Sequence, residues 1–400
     1  MDLSERKASG EMTILTFLLP FFLLYGGIHL YTFLKVKMVI HTGPVADLYL
    51  IIFLVTMVLA PLIVRLAEKE DFDFLARIMS YTGYTWMGVL FLFFCVSLIL
   101  DICHFTIYAG GLILHRNFSH LTLSSPYAFI ISLLISLGIN MYGYFEAKDI
   151  RTEKIIIKTP KIPPEVGRIR IVQVSDIHLG LILGEKRLKR INEEIKKADP
   201  EMLLSTGDLL DGQLNNLLIP AEFLREVHPV YGKFAIPGNH EFYAGLDHAL
   251  NFTRRAGFTV LRGEGVTVAG LINIAGVDDP AGKSFGLYRE VSEKELLSRL
   301  PRQNFTILLK HQPVVDKDAF ELFDLQLSGH THKGQIFPFS LITRIYFPLH
   351  NGYFHLADHS SLYVSRGIGT WGPPVRFLSP PEVTIIELVH DNNQGSARPL

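Results

Sequence analysis

Hydrophobic and polar positions along this chain fall into two textures that change over near Glu146. Before it, Leu, Phe, Ile and Val run in long stretches with few charges; after it, short apolar runs alternate with charged segments. Four stretches of the first part, 12–34, 48–64, 84–100 and 126–144, read as membrane-spanning helices. The first has 23 positions, about 35 Å of helix, enough to cross a bilayer with some tilt. It is too long for a signal-peptide core and lacks a small-residue cleavage site or twin arginines, so it reads as a retained helix. Pro20 and Pro61 are tolerable there, because neighbouring helices can satisfy the freed backbone groups. Phe105–Leu114 is apolar but short; assigned to a fifth span, it would reverse the sidedness of everything downstream.

From Arg168 the pattern alternates between strand and helix. Strands are expected to Ser175, at 202–205 and at 232–236, with helices at 185–197, 221–227 and 246–256. Such alternation implies right-handed crossovers and a largely parallel sheet, with ligands beyond the carboxyl ends of its strands. After Thr259 the runs become short and β-like, at 259–261, 266–269, 272–275, 306–310, 325–328, 362–365 and 383–388, which suggests a second sheet packed on the first. One helix, 292–300, interrupts them, with Ser292 and Glu295 placed as a capping box. The expected divisions are a membrane region over 1–146, a basic, proline-punctuated linker or edge strand over 147–167, an α/β domain over 168–390 and a polar tail over 391–400.

Charge adds orientation. With four spans, one side receives Arg6, Lys7, Arg65, Lys69, Arg77, Lys148, Arg151, Lys154, Lys158 and Lys161, and the other only Lys35, Lys37 and Arg116. The positive-inside rule then puts both termini and the α/β domain in the cytoplasm, with the plasma or inner membrane as the expected location. A net charge of -1 argues against nucleic acid as a partner. Cys95 and Cys103 have no zinc-ligand spacing and read as apolar thiols. Asp47, Asp101, His29 and His104 fall mostly near predicted span ends, where the interface is in reach, and Asn140 reads as a helix–helix hydrogen bond.

The candidate chemistry lies where apolar runs end. RIRIVQVSDIHLG stops in Asp176 and His178, and residues two apart on a strand point the same way, which would aim both side chains at one point. Four more runs end alike, in Gly207-Asp208-Leu209-Leu210-Asp211, Gly238-Asn239-His240-Glu241, Lys310-His311 and Gly329-His330-Thr331-His332. A lone Asp-x-His or His-x-His is weak evidence, and lone residues such as His228, His248, His350, His355 and His359 read as surface or core positions. Five such endings in order are hard to reconcile with chance.

This ordered set resembles the calcineurin-like metallophosphoesterases, over about Arg151 to Leu388. Lys333-Gly334-Gln335, Ser365 to Thr370, Pro373 to Phe377 and Pro380-Pro381-Glu382 resemble the membrane-associated branch of that family. The resemblance implies two sheets sandwiched between helices, in agreement with the pattern, and two divalent ions. It implies that Asp176, His178, Asp208 and His332 hold one ion, and that Asp208, Asn239, His311 and His330 hold the other. Asp208 would bridge them, because two cations about 3.5–4 Å apart need a shared anion. Carboxylate, amide and imidazole ligands suit Mn, Fe or Zn and do not choose among them. His240 is placed to contact phosphate or protonate a leaving alkoxide, and the resemblance supplies Asp211 as the acceptor that orients it; Asp211 could instead cap a helix or close a loop. Glu241 reads as structural. Arg366 and Arg376 read equally as phosphate-steadying groups or as ordinary ion pairs. Phe337, Phe339, Ile342, Ile345, Tyr346 and Phe347 form an apolar loop that is either buried core or a lip admitting a lipid-borne phosphoester.

The resulting expectation is a membrane-anchored, two-metal hydrolase that cleaves a phosphoester or pyrophosphate by metal-activated hydroxide, with a lipid-linked substrate preferred. Members of the family act on lipid-linked pyrophosphates such as UDP-2,3-diacylglucosamine, on phospholipids and on cyclic nucleotides. The alternative is a non-catalytic, metal-supported scaffold or regulator of the membrane helices. A transporter or sensor with the phosphoesterase as its output is disfavoured by the lack of inverted repeats or broken-helix pairs.

Overall fold

A computed structural model describes residues 3–41, 43–212, 218–357 and 359–391, with backbone alone at 3–18 and 218. The polar tail expected at 391–400 falls, from 392 on, outside the described residues. Contacts divide the chain into two units, Met1–Phe145 with Gly372–Phe377, and Glu146–Trp371 with the chain from Leu378 onward.

The first unit is built on α1 (Leu3–Val39), α2 (Pro44–Lys69), α3 (Asp73–Leu114) and α4 (Ser125–Glu146). Among the described residues, four helices are long and apolar enough to cross a membrane. Phe105–Leu114 is not a separate span but the end of α3, whose 42 residues reach about 63 Å, roughly twice the hydrocarbon thickness. Asp101 pairs with Lys35 at 2.5 Å and Asp47 with Lys37 at 2.8 Å, which offsets the cost of charge at such positions. Asn140 does not bond across helices as expected: its amide nitrogen donates to Ser136 O one turn earlier in α4.

The excursion Gly372–Phe377 enters this unit through space left by glycine. Arg376 N donates to Gly143 O at 3.0 Å, and a Cβ on Gly143 would stand 2.7 Å from Arg376 O. Arg376 is fully buried here, which corrects its reading as a phosphate-steadying group.

The second unit is a two-sheet sandwich. The first sheet orders β1 (Arg151–Thr159), β12 (Glu382–His390), β2 (Arg168–Val174), β3 (Met202–Ser205), β4 (Lys233–Ala235) and β5 (Thr259–Val260). All neighbours are parallel except β12 against β2. The second orders β10 (Gly352–Ala357), β11 (Ser360–Val364), β9 (Leu325–Ser328), β8 (Phe305–Leu309), β7 (Ile272–Gly276) and β6 (Glu264–Val268), antiparallel only at its two ends. The period-2 alternation of β2 sorts its faces. Ile169 and Ile171 pack between the sheets with Leu204, Ile274, Ile307 and Leu327. Val172 and Val174 face outward against α5 (Glu185–Lys197), α6 (Leu218–Arg225) and α8 (Leu246–Arg255), through Leu188, Ile191, Leu224 and Phe252. Burying each such aliphatic side chain contributes about 1.5–3 kcal/mol. On the second sheet's outer face, Leu296 and Leu297 of α9 (Glu293–Ser298) cover Ala275 and Leu308.

The linker or edge strand expected over 147–167 holds a nine-residue edge strand, β1. Two elements differ from expectation. Asn239–Ala244 is a short helix, α7. The apolar loop after His332 is a helix, α10 (Phe339–Tyr346), followed by β10.

Gly143→Ala and Gly138→Ala should differ in sign. A Cβ at Gly138 meets nothing within 4 Å, so helix propensity favours alanine there by up to about 1 kcal/mol. At Gly143 the clash with the Arg376 backbone outweighs that gain, at a cost of about 1–3 kcal/mol. Thermal unfolding in detergent should show a raised midpoint for the first variant and a lowered one for the second; equal shifts would refute this seating of the excursion.

Candidate metal centre

All five predicted endings emerge at carboxyl ends of strands, β2, β3 and β4 from one sheet and β8 and β9 from the other. Gln173 bridges the sheets beneath them, its amide donating to Ser328 O and Thr206 Oγ1, both at 3.0 Å.

Strand alternation does not aim Asp176 and His178. The strands stop at Val174 and Ser328, so neither Asp176 and His178 nor His330 and His332 lie on a strand. Instead Asp176, His178, Asp208, His330 and His332 have φ between 47° and 71°, the left-handed region. Such backbone costs about 1–3 kcal/mol per non-glycine residue. Tight turns aim these side chains, and the turns are crowded: Gly207 has φ 98°, and a Cβ on it would lie 2.5 Å from Gly238 N.

Two groups of side chains meet at Asp208. In one, His178 Nε2 and His332 Nε2 stand 3.0 Å apart, His332 Nε2 lies 3.5 Å from Asp176 Oδ1, and His178 Nε2 lies 3.8 Å from Asp208 Oδ2. In the other, His311 Nε2 lies 3.2 Å from Asp208 Oδ2, 3.1 Å from Asn239 Oδ1 and 3.2 Å from His330 Nδ1, and that nitrogen lies 2.9 Å from Asn239 Oδ1. All seven predicted ligands are thus brought together.

Tautomer logic identifies what faces the centre. Thr206 O can only accept, so His311 Nδ1, 2.7 Å away, carries a proton, which leaves Nε2 to face the centre. Burial followed by His311 pushes His330 down to about 3, so this imidazole is neutral and keeps a lone pair. Burial would lower His311, yet Asp208 lifts it well above the imidazole range. Burial, and to a lesser degree Asp208, raises Asp176. Buried oxygens and nitrogens face one another with too few donors between them, and cations satisfy such a set. Two groups suited to a cation, Asp176 with His178 and His332, and Asp208 with His311 and His330, have ligand atoms within 4.8 Å of one another. A third, His178 with Asp208 and His240, overlaps both.

His240 sits beside these groups. Its Nδ1 stands 2.9 Å from Asp211 Oδ1, which also lies 3.4 Å from His178 Nδ1. Burial would raise Asp211, but His178 and His240 hold it well below the carboxylate range. Burial would lower His240, but Asp208 and Asp211 raise it to about 9. Tyr243 and Trp371 pack edge-on against its ring at 5.4 and 5.9 Å. Arg366 is committed elsewhere, to Glu153 at 2.5 Å and Glu382 at 2.7 Å.

Two supports had no sequence signal beyond their residue type. Ser175 Oγ donates to Asp176 Oδ2 at 2.5 Å, and Ser379 Oγ donates to His332 O at 2.5 Å. Glu241 does more than the structural label implied. Its carboxylate accepts from Gly238 N (2.7 Å), Asp208 N (2.9 Å), Leu209 N (2.8 Å) and Leu210 N (3.2 Å), tying the loop that carries Asp208 to the one that carries Asn239.

Glu241→Gln should therefore loosen both loops. An amide NH₂ facing backbone N–H groups leaves buried donors unsatisfied at about 1–3 kcal/mol each. Calorimetry should show a lowered unfolding midpoint for the α/β unit and elemental analysis weaker metal retention; parental values of both would contradict the tie.

Comparison with known proteins matches this arrangement. The profile of the calcineurin-like phosphoesterases matches residues 169–334. An uncharacterized metallophosphoesterase of Aquifex aeolicus is 40% identical over 65% of this chain and 100% of its own length. Another from Helicobacter pylori is 36% identical over 56% of this chain and 60% of its own. A transmembrane protein with metallophosphoesterase domain from Danio rerio is 30% identical over 65% of this chain and 62% of its own. The chain thus spans the whole Aquifex relative and about six tenths of the other two. Strand-end clusters, sandwich and relatives agree, and the chain belongs to the calcineurin-like metallophosphoesterases.

Proposed function

We propose that this protein is a membrane-anchored, two-metal phosphohydrolase with its α/β unit in the cytoplasm. The observation that carries the reading is the position of Asp208, whose Oδ2 lies 3.8 Å from His178 Nε2 of one ligand group and 3.2 Å from His311 Nε2 of the other. Asp176, His178, Asp208 and His332 would hold one divalent ion, and Asp208, Asn239, His311 and His330 the other. Mn, Fe and Zn all suit these donors.

Divalent cations held here supply Lewis-acid stabilisation of charge developing on phosphoryl oxygens and make water nucleophilic at neutral pH. The chain's own residues do the rest. Asp208 would be the anionic ligand common to both ions, and its N–H is fixed by Glu241. Asp211 holds His240 Nδ1, leaving Nε2 to carry a proton to the departing oxygen. A group raised to about 9 keeps that proton at neutral pH. Tyr243 and Trp371 limit water around the ring.

A lipid-linked phosphoester or pyrophosphate is the preferred substrate, because exposed apolar residues of α10 lie next in the chain to the ligand loop and Phe347 packs against His330 at 5.2 Å. The cytoplasmic assignment rests on the charge bias and on four spans with α3 continuous through Leu114. The scaffold alternative loses support because no predicted ligand falls outside the two groups.

The direct test is hydrolysis of bis-p-nitrophenyl phosphate and p-nitrophenyl phosphate by the detergent-purified protein, stripped of metal and reloaded with Mn. Turnover should return with Mn and be lost in Asn239→Ala, while His240→Ala should lose about 10²–10⁴-fold. No turnover from a folded, metal-loaded protein would favour the scaffold.

The pH profile offers a second check. An acid that must be protonated loses activity as pH rises through its pKa. Asp211→Asn removes a negative neighbour of His240, so its pKa falls and the basic limb of kcat/KM should move to lower pH than in the parent. An unmoved limb would separate Asp211 from the acid.

A further inference from the structure

We propose that α10 is a membrane-docking foot that lies in the headgroup and acyl boundary of a bilayer, with anionic lipid as its occupant. The proposal rests on the membrane reading of the first unit and extends the proposed substrate preference to a named surface.

The observation is an inverted helix. A surface helix of a water-soluble domain turns its apolar stripe inward and its polar face outward. In α10 the polar Thr343 is buried and Ser340 half-buried, whereas Leu341 is 59% exposed, Ile345 76% and Tyr346 77%, with Phe339 and Ile342 also exposed. Apolar side chains on the outer face of one short helix are matched to lipid, not to water.

Charge agrees with the occupant. From Leu325 to Ala357 the chain has no Asp or Glu, while Lys333 and Arg344 flank or lie on the helix. Basic residues beside an apolar face add attraction to anionic headgroups.

Connectivity agrees as well. Gln335, just before α10, grips Trp371 with both ends of its side chain: Nε2 donates to Trp371 O at 2.9 Å, and Trp371 N donates to Oε1 at 2.9 Å. The next residue, Gly372, begins the excursion that belongs to the helical unit. Docked in this way, the centre bounded by His330 and His332 would open at the depth where a lipid carries its phosphate.

The test uses the full chain in nanodiscs of phosphatidylcholine and phosphatidylglycerol. In a Cys95→Ala/Cys103→Ala background, a nitroxide at Ile345→Cys is compared with one at Val230→Cys, an 85% exposed position outside α10. The Ile345 label should be accessible to oxygen and shielded from an aqueous nickel chelate, as expected about 5–10 Å into the boundary. The Val230 label should be open to nickel. Adding Ile342→Glu/Tyr346→Glu should release the Ile345 label to nickel. A label as open to nickel as that at Val230, a label that stays shielded in the double glutamate variant, or dipolar broadening that places a second copy on this face would each overturn the proposal. Accessibility is read without catalysis, so failure of the hydrolase reading would leave this result intact and distinguishable.

Discussion

Everything at the centre follows from one electrostatic constraint: carboxylates, an amide oxygen and imidazole lone pairs are driven into one dry place with too few protons among them. Buried polar groups left in this state cost free energy, and buried anions cost more. The structure holds them there by two means. Left-handed turns at Asp176, His178, Asp208, His330 and His332 point the side chains inward. Backbone donors then fix the carriers: His330 N–H donates to Asp176, His240 N–H to Asp208 Oδ1, and four N–H groups converge on Glu241. Strain and repulsion concentrated in this way mark a site whose stabilising partner is a cation.

The sandwich makes that concentration possible. Parallel strands deliver their carboxyl ends to one edge, so five short loops meet without any long connection. The strand ends were legible because each apolar run stops in Gly, Asp, Asn or His, and α5 and β9 match their predicted ranges residue for residue. How the ligands are aimed was not legible. A left-handed Asp or His leaves no mark in the sequence, and strand alternation predicted the right neighbours for the wrong reason. Likewise α7 is only six residues long, and its Asn-His-Glu start read as a motif rather than a helix. The inverted α10 lacked the polar outer stripe by which surface helices are recognised, so it read as an apolar loop. The edge strand expected within 147–167 is β1, whose buried face carries Ile155, Ile157 and Thr159.

The chain passes between the membrane unit and the α/β unit after Phe145, after Trp371 and after Phe377. The last two crossings are flanked by residues that grip the ligand loop, Trp371 through Gln335 and Ser379 through His332 O. The segment between them fits beside Gly88 and Gly143 of the helices.

The central claim is that Asp208 is shared by two cations. Electron paramagnetic resonance of the full-length protein reloaded with Mn, alongside metal analysis, tests it most directly. Two Mn per chain with an exchange-coupled spectrum, collapsing to an uncoupled signal with lower occupancy in Asp208→Ala, is the predicted result. One Mn per chain, or two that remain uncoupled in the parent, would contradict the account.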